Sequence, residues 1–389
     1  MPSSWRTQLL AIALAAVIGV SCGFASAAFL YLLDEVTSLR IANGWLLYLL
    51  PIAGLALGFA YARFGESVKA GNNLVIDTIH DGGPEIPLRM FPMVLVGTLL
   101  THLCGGSAGR EGTAVQMGAS LTDWIAHRVK LDGEARVQLL AAGVAGGFGS
   151  VFGTPIAGTI FGLEFVRTGR IEYRALAPAL VAAITGDYVT RRFIAHTAYP
   201  AAPHVPLDPL LAGKWIVFAI CVAATSIAFI EGVHGLKKLP PKQPWLRAAI
   251  GGAVVVGLAL LAGDDYLGLG VPKIVAAFDR ETVPWAFALK LAFTAITIGS
   301  GFIGGEVTPL FFIGATLGGV LGPALGIPQP LGAAVGMAAV FASASKTPIA
   351  LSIMAVELVG GHALPHVAIV CIAAHLLTGR RSIYPSQLR

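Results

Sequence analysis

The chain has 389 residues, 56% of them hydrophobic and only 12% charged, about half the roughly 25% charged share of soluble domains. A water-soluble surface cannot be assembled from that composition, so the chain is expected to be an all-α integral membrane protein, whose backbone polar groups pair within their own segments. The net charge of +5 sits in short stretches such as Arg167/Arg170/Arg174, Arg191/Arg192, Lys237/Lys238/Lys242 and Arg380/Arg381, which marks cytoplasmic loops and argues against nucleic-acid binding.

In chain order, Leu9 to Leu33 reads as the first membrane helix. It runs through Ala25-Ser26-Ala27 into Tyr31-Leu32-Leu33 and is too long for the apolar core of a cleaved export signal, about 7 to 15 residues. Apolar runs follow at Trp45 to Ala62, Met90 to Leu103 and Leu139 to Phe152, then at Leu210 to Ile230, Ala248 to Ala262, Trp285 to Ile298 and several places from Leu310 to Leu377. They lack strand alternation, so helices are expected rather than a β-barrel. Cys22, Cys104, Cys221 and Cys371 lie far apart without metal-type spacing and read as packing residues. No metal or other cofactor is expected, and no polar domain is expected at either end.

Two blocks recur. Thr154-Pro155-Ile156-Ala157 with Glu164 is matched by Thr347-Pro348-Ile349-Ala350 with Glu357, both at a separation of 193 residues. Glu111, Thr113 and Gly118-Ala119 are matched by Glu306, Thr308 and Gly314-Ala315 at offsets of 195, 195 and 196. The chain thus reads as two related halves, residues 1–200 and 210–389, with the boundary in the proline-rich stretch Tyr199 to Pro209 and a linker at 201–209. A repeat of this size in an all-helical membrane chain is a transporter signature; the apolar runs alone leave open whether the halves are inverted.

The matched blocks are also where glycine interrupts the apolar runs, at Gly105-Gly106-Ser107-Ala108-Gly109, Gly299-Ser300-Gly301 and Gly304-Gly305. A helix that starts inside the membrane leaves its first N–H groups unpaired and partly positive, which suits an anion. Glu111, in Gly109-Arg110-Glu111-Gly112, stands immediately before the helix-like run Thr113 to Ile125. Ionised, it would compete with a transported anion; protonated, it would leave the positive pocket, so one side chain could couple proton uptake to anion entry. The plainer reading is a carboxylate stabilising a helix dipole.

Glu306 occupies the corresponding place in the second half, followed by Val307, Thr308 and Pro309, with proline suited to a first helical turn. The Thr308 hydroxyl can donate to an anion or serve as an ordinary N-cap, and Glu306 can be a salt-bridged structural acid. Asn72 and Asn73 follow Gly71 ahead of a short segment Leu74 to Ile79; their amides offer donors to a dehydrated anion, or they simply form a turn. Tyr384 is one more hydroxyl, or an interface anchor.

Together these blocks resemble the CLC anion channels and transporters. The strongest match is Gly109-Arg110-Glu111-Gly112-Thr113-Ala114-Val115-Gln116-Met117-Gly118, supported by Phe152 to Gly158 with Glu164, by Lys290 to Gly301, by Gly304 to Pro309 and by Tyr384. The resemblance implies inverted halves with broken, re-entrant helices, a homodimer with one pore per subunit, a gating glutamate at Glu111, and a tyrosine at the inner end of the anion path at Tyr384, in a pore-lining C-terminal segment. Three departures are similar to the fluoride/proton antiporter branch. Asn72 stands where the chloride-carrying members have a serine ligand, Glu306-Val307-Thr308 replaces a phenylalanine-bearing block, and Phe165 falls where chloride/proton exchangers have an internal proton-transfer glutamate.

The implied function is fluoride export in exchange for protons across a bacterial inner membrane, without enzymatic chemistry. Glu111 is the expected gate and proton carrier; Asn72, Val307, Thr308 and Tyr384 are the anion-site candidates. Gly71, Asn73, Gly109, Arg110, Gly112, Gly305, Glu306 and Pro309 would support them. The alternatives are a chloride channel or chloride/proton exchanger of the same family and, from another class, an intramembrane serine protease using Ser107 with a histidine such as His375.

Overall fold

The computed structural model describes residues 5–280 and 282–388. Sixteen α-helices are present among them, and no β-strand. The first half holds α1 (Trp5–Ala42), α2 (Leu50–Phe64), α3 (Asn72–Asp81), α4 (Met90–Leu103), α5 (Glu111–Arg128), α6 (Gly133–Phe152), α7 (Pro155–Glu164) and α8 (Leu176–Thr190). Residues 191–208 contain no helix. There follow α9 (Pro209–Lys238), α10 (Pro244–Ala262), α11 (Val271–Ala276), α12 (Ala286–Ser300), α13 (Val307–Ala324), α14 (Gln329–Ser345), α15 (Pro348–Val359) and α16 (Leu364–Leu377).

Six helical segments are long and apolar enough to cross a membrane, at Leu9–Ala42, Gly44–Phe64, Gly133–Phe152, Pro209–Lys238, Pro244–Ala262 and Val307–Ala324. Their outer faces carry large apolar side chains, with Leu261 88% exposed and Leu210 71% exposed. In water such a surface would drive aggregation; in hydrocarbon it is the required one.

Several boundaries differ from the sequence reading. The first helix runs on to Ala42, because nothing between Leu33 and Ala42 breaks it. The run from Trp45 opens as a 3-10 turn over Gly44–Leu49 and becomes α-helical at Leu50, with Pro51 in the first turn where its missing N–H costs nothing. Asn72 and Asn73 form no turn; they are the first residues of α3, behind Gly71 at φ +57.

Small residues set the packing. A Cβ on Gly314 would collide with the Gly336 carbonyl and one on Gly336 with the Gly314 carbonyl, and Gly318 and Gly332 oppose each other likewise. The α13 and α14 backbones therefore touch through a small-xxx-small stripe, the usual device where lipid removes the hydrophobic drive between helices. In the first half α5 meets α6 in the same way: Gly118 lies against the Gly143 carbonyl and Gly147 against that of Ala114.

The halves also exchange reciprocal contacts. Ile349 N–H and Ala350 N–H donate to the Glu164 carboxylate at 3.2 and 2.8 Å. Ile156 N–H and Ala157 N–H donate to the Glu357 carboxylate at 3.0 and 2.7 Å. Each half thus caps a helix start of the other, between α7 and α15, with the same residues in swapped roles. Such reciprocity belongs to a pseudo-two-fold axis between inverted halves.

Candidate functional site

Two helices stop inside the body and two begin there. After α4 the chain passes through Gly105 to Gly109 into α5; after α12 it passes through Gly301 to Gly305 into α13. The two loops join as an isolated antiparallel bridge, Gly109 N–H donating to the Gly305 carbonyl at 2.5 Å and Gly305 N–H to that of Gly109 at 2.7 Å. This pairing satisfies backbone groups that would otherwise be orphaned at membrane depth, and it brings the N-termini of α5 and α13 together. Pro309 lies against Gly109, whose added Cβ would come within 2.9 Å of the proline ring.

Glu111, the first residue of α5, is fully buried. Its carboxylate accepts the Thr308 N–H at 3.1 Å and the Thr308 hydroxyl, both at the start of α13. Arg110 N–H adds a contact at 3.2 Å, and the Arg110 guanidinium lies 3.4 Å away. The acid of one helix start therefore fills the donor set of the other. The N-cap of α13 is Glu306, not Thr308; Thr308 lies within the first turn, which leaves both its N–H and its hydroxyl free to point outward. Val307, buried as the first residue of α13, brings no side-chain donor.

Glu306 makes a second carboxylate cluster. It accepts from the Tyr384 hydroxyl and from the Asn72 side chain. A Cβ on Gly112 would stand 3.1 Å from Asn72 Nδ2, 3.2 Å from Gly305 Cα and 3.6 Å from Glu306 Oε2, so only glycine leaves this convergence open. Asn73 turns elsewhere, its Oδ1 accepting the Ser386 N–H at 3.1 Å and tying α3 to the C-terminal segment. Of the two asparagines, Asn72 faces the acids. Gly71, at the start of α3, borders Gln116 of α5.

All the nominated residues from Gly71 to Tyr384 are thus gathered around the meeting point of α3, α5, α13 and the C-terminal segment. Phe165 packs edge-on to Tyr384 with ring centroids 5.1 Å apart. Sequence reasoning missed Gln387, whose side-chain amide donates to the Phe165 carbonyl at 2.7 Å and the Ser345 carbonyl at 2.8 Å while its oxygen accepts from Ser382. Those bonds fix the segment that presents Tyr384; a lone glutamine near a C-terminus carries no pattern that announces this. Also missed were the hydroxyl pairs Thr98 with Thr113 at 2.7 Å and Ser107 with Thr294 at 2.8 Å.

The protease alternative fails on geometry. Ser107 bonds Thr294 and Thr297, whereas His375 lies on α16 with its Nδ1 unpartnered and its carbonyl taken by Lys346. A serine nucleophile needs a base in hydrogen-bond reach, and Ser107 has none among the described residues.

A family model described as voltage gated chloride channel matches residues 53–379. A chloride/fluoride channel protein of Pseudomonas syringae pv. tomato is 45% identical, over 97% of this chain and 86% of its own. The H(+)/Cl(-) exchange transporter ClcA of Yersinia pestis is 27% identical over 98% of this chain and 88% of its own. Among solved structures, the crystal structure of a CLC-type fluoride/proton antiporter superposes with a TM-score of 0.95 at 36% identity and covers 99% of both chains. The chain therefore belongs to the voltage gated chloride channel family, the CLC proteins.

Proposed function

We propose that this multi-pass membrane protein exports fluoride in exchange for protons and thereby confers fluoride resistance. The observation that carries the reading is the Glu111 carboxylate seated on the N–H and hydroxyl of Thr308. A carboxylate bound there marks the place of a dehydrated anion, and a carboxylate that gains a proton gives the place up.

Fluoride is the smallest halide and the strongest hydrogen-bond acceptor, so its dehydration must be offset by converging donors. The Thr308 N–H and hydroxyl, the Asn72 amide and the Tyr384 hydroxyl are such donors, and Glu306 beside them is the polar partner facing the inner end. The 45% identical chloride/fluoride channel protein and the fluoride/proton antiporter structure support this choice of ion. Inward protons would supply the drive, since fluoride that entered as neutral hydrofluoric acid has to leave against the membrane potential.

The working unit proposed is a homodimer with one pore per subunit in a bacterial inner membrane. Its apolar flank on α7, α8, α15 and α16, with Ile156, Ile184, Tyr188, Ile349, Ile372 and Leu376 exposed, supports a second copy there. The halves are assigned to residues 1–200 and 210–389, with 201–209 as linker.

In liposomes, a fluoride electrode should record release accompanied by proton movement in the opposite direction. Equal rates for chloride would overturn the selectivity and favour the chloride exchanger. Glu111→Gln should keep the fold but lose proton coupling, and exchange that stays coupled in that variant would remove Glu111 from the mechanism.

A further inference from the structure

The last turns of α9 lie against the segment that presents Tyr384. Arg381 Nε stands 3.1 Å from Glu231 Oε1, and the His234 ring bonds the Ile383 carbonyl. One turn on, the Lys237 carbonyl accepts Arg247 Nη1 at 2.9 Å, and Arg247 Nε donates to the Ser300 carbonyl at 3.3 Å. Ser300 ends α12, and the chain runs from it through Gly301 to Gly305 into Glu306. The backbone of Lys237 is therefore pinned beside the loop leading to Glu306, at the same end of the molecule as Tyr384.

Lys237 is exposed. Its charge acts on the buried Glu306 carboxylate, and among the described residues no ion pair engages it. Lys238, Lys242 and Arg247 lie close by in the chain, which places this end of the molecule at the cytoplasmic face. The other charges near it are Glu231, His234 and Arg381.

We propose that Lys237 is the cation that draws the transported anion from cytoplasmic water to the Tyr384–Glu306 end of the site. The inference rests on the anion-transport reading above. An incoming anion must approach past the Glu306 carboxylate, which repels it, while the helix-terminus donors act only within about one turn of the bound position. A positive charge at the mouth of an anion path raises the local anion concentration and the rate of encounter. A lysine suits that role, because its hydrated, mobile ammonium attracts an anion without holding it in a fixed fork.

The test uses inverted membrane vesicles carrying the full chain, so that added fluoride meets the cytoplasmic face, with ionic strength set by a gluconate salt. In Lys237→Gln the KM for fluoride should rise about three- to tenfold at low ionic strength with kcat unchanged, and the difference should shrink at high salt. Lys237→Arg should restore the parent KM, and Lys242→Gln should match the parent. An unaltered KM in Lys237→Gln, a loss confined to kcat, or an equal effect from Lys242→Gln overturns the inference alone. A parent protein that carries no halide overturns the transport reading and this inference with it.

Discussion

Thr308 illustrates how much of this site depends on a rotation of one residue. Had it been the N-cap, its hydroxyl would have turned back to its own helix; placed after Glu306 and Val307, it turns both donors on Glu111. Thr308→Val keeps the shape and the N–H but removes the hydroxyl, leaving a buried acceptor short of a partner at a cost of about 1–3 kcal/mol. Fluoride affinity in flux assays should fall about tenfold or more and the thermal midpoint should fall with it; unchanged affinity would take the hydroxyl out of the site. The residue types around Glu111 were legible from sequence, because an acid flanked by glycines before a helical run has few uses inside a membrane. Which of Asn72 and Asn73 faces the acids was not legible, since neighbours on a helix start differ only in direction. Gln387 was invisible for a related reason: its partners, the Phe165 and Ser345 carbonyls, are far away in sequence.

At the scale of elements, the crossed caps between α7 and α15 make a direct prediction. Each carboxylate holds two N–H groups of a helix in the other half, and charge-assisted bonds of this kind contribute about 1–2 kcal/mol. Glu164→Gln and Glu357→Gln should each lower the thermal midpoint in detergent. Along α7 the two sites stand about 11 Å apart, so the double variant should lose about the sum of the single losses; a double variant no worse than either single one would mean the caps act as one unit. The repeated Thr-Pro-Ile-Ala blocks and their distant glutamates were visible in the sequence as a constant spacing. That each glutamate serves the opposite block was not, because spacing along a chain carries no information about which copy a side chain reaches.

For the whole molecule, α9 spans 30 residues, about 45 Å, enough to cross the bilayer and its headgroup layers. The linker before it and the Lys237 to Lys242 connection after it should therefore lie on opposite sides. Leu207→Cys should react with a membrane-impermeant thiol reagent on intact cells, and Lys242→Cys only after permeabilisation, over a background of buried or half-buried native cysteines. Labelling of both from one side would contradict the assigned topology. Composition alone gave the membrane setting, and the spacing of the repeated blocks pointed to two halves. The inverted relation needed the reciprocal contacts, because broken helices of ten to fifteen residues hide the parity of the crossings.

The paired amides of Gly109 and Gly305 have a consequence for tuning the protein. Two backbone bonds hold the starts of α5 and α13 together whichever side chains line them, so the aperture between them behaves as a caliper of fixed width. Exchanging the lining side chains can change how strongly a halide is held. Admitting a larger one would require lengthening or breaking the glycine splice itself, and with it the join between the two halves of the chain.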